Sequence, residues 1–137
     1  MPNKNEEEVV RRAPLFTALD DASASTLRAS MTAVKISKGQ TLFKEGDAGD
    51  RLFVVTDGKL KLGTTSSDGR ENLLSILGPG DMFGELSLFD PGPRTATATA
   101  VVDSKLLALA NDQVIDWVRA HPQVSLQLLG RLAQRLR

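Results

Sequence analysis

A carboxylate and a guanidinium nine residues apart dominate the stretch FGELSLFDPGPRTATA, residues 83–98. Gly84 lets the backbone come close to a bound group, and the residues from Glu85 onward can form one helical turn whose first N–H groups lack partners. Such N–H groups favour an anion, and the Arg94 guanidinium can hold two phosphate oxygens through paired hydrogen bonds. Thr95 adds a neighbouring hydroxyl. The stretch therefore predicts a phosphate site.

The acid in this stretch needs a different partner. A carboxylate at Glu85 would repel a phosphate but accepts hydrogen bonds from a pair of neighbouring hydroxyls, so we expect it to face a sugar. Phosphate at Arg94 and ribose at Glu85 together indicate a nucleotide. The spacing alone leaves open an ordinary surface ion pair between Glu85 and Arg94 beside a turn rich in proline and glycine.

Short β-rich runs separated by glycine and aspartate fill the chain from Ala33 to Ala110. Turn signals such as EGDAGD, SDG and GPGD supply residues that tolerate positive φ. This rhythm predicts an antiparallel sandwich, roll or barrel. The predicted strands are AVKIS, QTLFK, RLFVVT, KLKLGTT, ENLLSIL, TATATAVV and KLLALA.

Helical periodicity precedes these strands, at about residues 6–32. The segment EEEVVRRA favours a short helix, and DDASASTLRASMTAV favours a second one behind the candidate caps Asp20 and Asp21. In the second segment the apolar residues at helical spacing are Leu27, Met31 and Val34.

Helical periodicity returns at about residues 111–137, where Asn111 is a candidate cap and Trp117 is predicted to lie in the core. The face predicted for this first helix carries Val114, Ile115 and Val118. After Pro122 a second amphipathic pattern begins, and no capping residue ends it. We expect this helix to continue and its leucines to start a coiled-coil seam; the alternative is a frayed terminal helix packed on the sheet. These leucines are Leu129, Leu132 and Leu136.

Composition narrows the class of protein. The 137 residues suit one domain, and 41% hydrophobic content supports a core. There is no cysteine and a single histidine, which excludes disulfide frameworks, iron–sulfur clusters, thiolate nucleophiles and Cys/His zinc sites. Seventeen basic residues balance seventeen acidic ones, so we expect any DNA to be held by another domain. With no membrane span and no signal peptide in the sequence, we expect a cytoplasmic protein.

Three segments carry a resemblance to a known family. EGDAGDRLFVVTDGKLKL, GPGDMFGELSLF and PRTATATA, in this order and separation, resemble the cyclic-nucleotide-binding domain family from about Leu15 to Arg137. The resemblance implies that residues 1–137 form a single, mainly β domain with flanking helices. It implies an antiparallel β-roll (a double-stranded β-helix, jelly-roll-like) at about 33–110, with the last helix as the start of a dimerisation helix.

Within that family the chain is similar to the sensor domain of bacterial CRP/FNR-type transcription regulators. These regulators join the β-roll to a long dimerisation helix and then to a helix-turn-helix. The resemblance implies a module that binds cyclic AMP, forms a homodimer through its C-terminal helix, and reaches DNA only through a domain outside this sequence. Neither catalysis nor a cofactor, metal or membrane partner is expected.

The resemblance also implies roles for individual residues. It assigns Glu85 to the ribose 2′-hydroxyl, and Arg94 and Thr95 to the cyclic phosphate. Further contacts with the ligand are implied for the close-approach Gly84, for the backbone amides around Leu86 and Ser87, for Leu62, Leu74, Ser75 and Phe83 beside the base and sugar, and for Arg135. Leu62, Leu74, Ser75 and Phe83 are also natural core residues, and Arg135 also suits a solvated helix face.

Other interpretations stay open. Thr95 also occurs in cyclic-GMP-binding relatives, so cyclic GMP remains a candidate ligand. Ser87 stands where many members have glycine or alanine, and the helix positions past Arg137 that read the base are absent. The chief alternative function is a ligand-independent dimerisation or protein-interaction β-roll; a haem sensor would depend on His121. A cupin-type metalloenzyme would need more than one histidine, and Ser87 lies in no nucleophile motif.

Overall fold

The computed structural model describes residues 4–17, 19–84, 92–120 and 122. Within these residues three helices precede eight strands, and a fourth helix follows them. The helices are α1 (Lys4–Arg11), α2 (Pro14–Thr17), α3 (Asp21–Ala29) and α4 (Asn111–Ala120). The strands are β1 (Thr32–Ile36), β2 (Thr41–Phe43), β3 (Arg51–Asp57), β4 (Leu60–Thr65), β5 (Glu71–Leu77), β6 (Met82–Phe83), β7 (Thr97–Ala100) and β8 (Ser104–Ala110).

The strands form two four-stranded sheets. The first has the order β1-β8-β3-β6 and the second has the order β2-β7-β4-β5, with antiparallel pairing throughout these described strands. The predicted mainly β architecture with antiparallel sheets and flanking helices is therefore confirmed. The two-residue strand β6, which pairs Phe83 with Phe53, is too short for any sequence pattern to indicate.

Strand β3 is buried on both of its faces, which explains its unbroken apolar run LFVV. Leu52 and Val54 belong to an apolar cluster shared with the helices, whereas Phe53 and Val55 belong to the cluster between the sheets. Because successive side chains of a strand point to opposite faces, this one strand contributes to both clusters.

The cluster between the sheets uses small residues on β7. Ala98 and Ala100 are buried there, while Thr97 and Thr99 alternate with them and are half-buried. The repeated TATA pattern is thus an alternation of small inward side chains with hydroxyl-bearing outward ones. The small side chains leave room for the larger Leu60 and Leu106 in the same cluster.

The helices cover the outer face of the first sheet. Val10, Leu27 and Val114 bring α1, α3 and α4 into one buried cluster with β3 and β8. The predicted core position of Trp117 is confirmed, because its side chain packs against this cluster. The side chain of Val118 lies outside the described part of the structure.

Helix α3 corresponds to the second helix predicted near the N-terminus, but it is shorter than the predicted apolar stripe. The cap at Asp20 is confirmed, since its carboxylate accepts a 2.7 Å hydrogen bond from the amide of Ser23, and Asp21 is the first helical residue. The helix ends before Met31, and Val34 lies on β1. The predicted i+7 position was therefore wrong, because the run TAVKI, with its β-branched residues, pairs with β8 instead of continuing the helix.

One glycine in each of the predicted turns EGDAGD, SDG and GPGD has a positive φ, namely Gly46, Gly69 and Gly80. At Gly58, which joins β3 to β4, φ is +98°, and a Cβ atom there would lie 2.7 Å from the carbonyl oxygen of Asp103. No described helix is both long and apolar enough to cross a membrane.

Candidate functional site

The loop between β2 and β3 holds the main chain of Arg94. Pro93 forms an isolated antiparallel bridge with Ala48. The amide of Arg94 donates a 2.6 Å hydrogen bond to the carbonyl of Asp47, and its carbonyl accepts one of 2.8 Å from Gly46. These contacts fix the direction in which the Arg94 side chain leaves the backbone.

The Arg94 side chain is buried, with 8% of the residue exposed. Nη2 donates a 2.6 Å hydrogen bond to the carbonyl oxygen of Arg51, and Nη1 donates one of 3.4 Å to that of Gly84. Nε is also buried and has no hydrogen-bond partner among the described residues. None of the ion pairs among the described residues includes Arg94. The guanidinium is thus a buried cation held by backbone carbonyls.

Aromatic rings line the other side of this guanidinium. Its central carbon lies 4.3 Å from the ring centroid of Phe43 and 5.7 Å from that of Phe53. The centroids of Phe53 and Phe83 are 5.3 Å apart, and Phe43 lies 5.9 Å from Phe53. Arg94 therefore covers one end of a group of three stacked or tilted rings that spans both sheets.

Burial lowers the pKa of Arg94, chiefly through desolvation, although the nearby charges of Asp50 and Asp47 raise it and that of Arg51 lowers it further. A free arginine ionises so far above neutrality that the group stays a cation at pH 7. Removing such a charge from water costs free energy unless a counter-charge compensates it. An anion bound at the remaining N–H groups would supply that counter-charge.

Gly84 allows this arrangement by lacking a side chain. Its φ is +83°, and a Cβ atom at this position would lie 2.7 Å from Nη1 of Arg94 and 3.0 Å from the carbonyl oxygen of Arg51. In the described structure it is the Arg94 guanidinium that approaches the backbone at Gly84, and the predicted approach of a bound ligand there stays a prediction. Thr95 follows Arg94 directly and is exposed.

The residues predicted to flank the base and sugar lie in three different settings. Leu62 on β4 pairs with Ser75 on β5, and Leu62 packs against the cluster between the sheets. Phe83 is buried among the aromatic rings. Leu74 is 60% exposed and lies where the β4–β5 register shifts, with Leu62 opposite Ser75 and the next residue, Gly63, opposite Leu73. Their contacts with a ligand remain predictions.

Several predicted site residues lie outside the described residues. They are Glu85, Leu86, Ser87, His121 and Arg135, together with the leucines of the predicted coiled-coil seam. Their assigned roles stay predictions.

Sequence reasoning named Phe83 as a candidate ligand contact but missed the contacts of Phe43 and Phe53 with Arg94. The chain has five phenylalanines, and three of them, Phe43, Phe53 and Phe83, meet near Arg94. The usable signal was the scarcity of phenylalanine combined with the positions of Phe43 and Phe83 at the ends of β2 and β6, whereas Phe53 lies inside β3. The backbone carbonyl of Arg51 left no signal, because any residue type supplies the same oxygen.

Comparisons with known proteins identify the family of this chain. The cyclic nucleotide-binding domain family matches residues 33–121. The chain is 44% identical over 131 residues to the CRP-like cAMP-activated global transcriptional regulator of Mycobacterium tuberculosis (strain ATCC 25618 / H37Rv), which covers 96% of this chain and 58% of the regulator. It is 38% identical over 128 residues to the Cyclic AMP receptor protein of Thermus thermophilus, and this match covers 93% of this chain and 59% of that protein.

A solved structure is also similar. The N-terminal domain of a transcriptional regulator from Streptomyces coelicolor A3(2) has 57% identity and a TM-score of 0.82, with 94% of this chain and 90% of that chain covered. The chain spans somewhat more than half the length of the two full regulators, 58% and 59%. The resemblance indicated by the motifs is confirmed, and the chain belongs to the cyclic nucleotide-binding domain family.

Proposed function

We propose that this chain is the sensor module of a CRP/FNR-type transcription regulator and that its ligand is cyclic AMP. The observation that carries the proposal is the buried guanidinium of Arg94, which has two carbonyl partners and a buried Nε without one. A cyclic phosphate brings one negative charge and two exocyclic oxygens, which match the remaining N–H groups of this cation. The module binds its ligand and is not an enzyme.

The names of the relatives support the choice of ligand. The Mycobacterium tuberculosis relative is a cAMP-activated regulator, and the Thermus thermophilus relative is a cyclic AMP receptor protein. Cyclic GMP is the alternative ligand, because the hydroxyl of Thr95 suits either base. We assign the ribose to Glu85 and the remaining phosphate contacts to Gly84, Thr95 and the amides near Leu86 and Ser87.

The wider assembly follows from the same assignment. Residues 1–137 act as one domain, and a homodimer forms through the C-terminal helix. DNA binds through a domain outside this chain, and the protein works in the cytoplasm.

A structural link supports the transmission of a signal. The loop that holds Arg94 also accepts hydrogen bonds at Asp50 and Gly49 from the main chain and side chain of Asn111, the first residue of α4. A shift of this loop on ligand binding would therefore reach the helix directly.

A second function is favoured by one observation. Leu73, Leu74 and Ile76 on β5 are 59%, 60% and 47% exposed, an apolar group that suits a protein partner. A β-roll that binds another protein and no nucleotide would use this surface and would have no phosphate bound at Arg94.

Calorimetric titration decides between these functions. The chain is titrated with cyclic AMP, cyclic GMP, 2′-deoxy cyclic AMP and 5′-AMP at the same salt concentration. We expect saturable binding of cyclic AMP. The affinity for the 2′-deoxy compound should be lower by about tenfold or more, because it lacks the hydroxyl that would donate a charge-assisted hydrogen bond to Glu85. Binding of 5′-AMP should also be weaker, because its phosphate is not held against the ribose by a second ester bond. Absence of binding to this chain and to a version extended to the length of its relatives would contradict the proposal.

A further inference from the structure

We infer that Phe43 is a positioning residue for Arg94, whose ring holds the guanidinium plane so that its N–H edge faces the bound phosphate. This inference rests on the proposed function. It concerns a residue of β2 that lies 51 positions before the arginine in the chain. The central guanidinium carbon is over the Phe43 ring at 4.3 Å from its centroid, well inside the roughly 6 Å range of a cation–π contact.

The ring is itself held in place. Phe43 is half-buried and stacks on Phe53 with an interplanar angle of 30°, and Phe83 lies 6.1 Å from it on the other sheet. Phe53 and Phe83 are fully buried core residues on paired strands. The support beneath the guanidinium therefore rests on the core between the sheets and not on a mobile side chain.

The ring and a phosphate use different parts of the cation. A guanidinium has five N–H groups in its plane, and two of them donate to the carbonyls of Arg51 and Gly84. Three in-plane N–H groups, including the buried Nε, are left for an anion. Because hydrogen bonds use the N–H groups in the plane of the cation, whereas the aromatic contact places its central carbon over the Phe43 ring, both can exist in the bound state.

The contact should therefore raise affinity by preorganisation. Without the ring, the long arginine side chain gains rotamers, and the ligand must fix it on binding at a cost in conformational entropy. An aliphatic residue at position 43 fills similar space but offers no negative ring face to the cation. Ring electronics, rather than ring volume alone, should then determine the affinity for cyclic AMP.

A fluorination series at position 43 tests this point. Phenylalanine is replaced by its 4-fluoro, 3,5-difluoro and 3,4,5-trifluoro analogues, which weaken the negative ring face with little change in size. We expect the affinity for cyclic AMP to fall stepwise along the series, by about 3- to 30-fold in total. Phe43→Leu should lose at least as much, and Phe43→Tyr should recover most of the affinity. The same series at Phe16, a buried residue of the cluster under the helices, is the matched control and should leave affinity unchanged.

A second measurement does not depend on the ligand. Rotation about the Nε–Cζ bond of Arg94, followed by nitrogen NMR in the free protein, should accelerate along the fluorine series at position 43. Unchanged rotation and unchanged affinity across the series would overturn the role of Phe43, while loss of binding in Arg94→Ala would still support the proposed function. Faster rotation in a protein that does not bind cyclic AMP would support the ring contact and overturn the proposed function.

Discussion

The amide of Arg94 donates a 2.6 Å hydrogen bond to the carbonyl oxygen of Asp47. The carbonyl oxygen of Arg94 accepts a hydrogen bond from the amide of Gly46, and the amide of Gly49 donates one to the carbonyl oxygen of Gly92. The β2–β3 loop is therefore hydrogen-bonded to the chain on both sides of Pro93. These hydrogen bonds fix the main chain around Arg94 without any contribution from a ligand. Preorganisation of this kind lowers the cost of binding.

The first prediction concerns the anchor of that loop. The Thr97 hydroxyl accepts a 2.9 Å hydrogen bond from the amide of Glu45. Thr97→Val keeps the shape and removes the acceptor, so we expect the free energy of unfolding to fall by about 1 kcal/mol. We also expect cyclic AMP affinity to fall several-fold because the loop becomes less ordered. Urea unfolding and calorimetry measure both quantities.

Thr99→Val is the control for this change. Thr99 lies on the same face of β7, and its hydroxyl has no hydrogen bond to the described residues. Equal effects of the two substitutions would show that the Thr97 hydroxyl does not anchor the loop.

The second prediction separates binding from stability at Arg94. Arg94→Met removes a desolvated cation along with two hydrogen bonds to carbonyls. Loss of the buried charge stabilises the folded state, whereas loss of the two hydrogen bonds destabilises it. We therefore expect the unfolding free energy of the ligand-free protein to change by no more than about 1 kcal/mol. At a cyclic AMP concentration of about 100 times Kd, the unfolding free energy of the parent should rise by about 2.7 kcal/mol, and that of the variant should not change.

Thermal unfolding with and without cyclic AMP measures both parts of this prediction. Arg70→Met serves as the control, since the Arg70 side chain is 84% exposed in the β4–β5 hairpin. Stabilisation of Arg94→Met by cyclic AMP to the same extent as the parent would refute the phosphate assignment.

The third prediction concerns Gly84. Gly84→Ala introduces a Cβ 3.0 Å from the carbonyl oxygen of Arg51 at a φ of +83°, and it moves the guanidinium of Arg94. Gly69→Ala has nearly the same φ, +86°, with nothing within 4 Å of its Cβ. We expect Gly69→Ala to cost about 1–2 kcal/mol of stability from its φ alone, and Gly84→Ala to cost more and to weaken cyclic AMP binding at least about tenfold. Chemical denaturation and calorimetry test the pair, and equal stability losses would mean that the crowding at Gly84 is relieved without cost.

Much of this fold could be predicted from local patterns, whereas the surroundings of Arg94 could not. The alternation around β7, the Asp20 cap and the core position of Trp117 depend on neighbours in sequence, which periodicity detects. Contacts between Arg94, Phe43 and the carbonyl of Arg51 join residues that are more than 40 positions apart. Their proximity follows from the packing of two sheets, and no local pattern encodes it.

The fourth prediction concerns Leu74. Its side chain is largely exposed, whereas that of Leu60 is fully buried between the sheets. Leu60→Ala should cost about 2–5 kcal/mol of stability, and Leu74→Ala less than about 0.5 kcal/mol. If Leu74 contacts the base, its substitution should still weaken cyclic AMP binding by about threefold to tenfold. Unchanged affinity in calorimetry would remove Leu74 from the ligand site.

The fifth prediction concerns acid titration in the β4–β5 hairpin. The pKa of Asp68 lies below its ordinary value because the Ser66 hydroxyl, and then the amide of Arg70, donate hydrogen bonds to its carboxylate. A pKa lowered on folding contributes stability above the unfolded-state pKa, and this contribution is lost as the pH falls through the folded-state value.

Ser66→Ala should therefore raise the Asp68 pKa and reduce this acid-dependent contribution, while Ser66→Thr should retain the shift. A carbon NMR titration of the carboxylate measures the change. An Asp68 pKa identical in the parent and Ser66→Ala would show that the hydroxyl does not cause the shift.

Strand β3 links the two apolar clusters, with Leu52 and Val54 in one and Phe53 and Val55 in the other. Loss of the helical cover would expose one face of this strand and weaken the pairing that also orders Phe53, the ring next to Phe43. The helical layer and the ligand site should therefore melt in a single transition, so a substitution in α1 can be compared with one beside Arg94 on the same free-energy scale. Amides of β3 should be the slowest in the molecule to exchange with solvent.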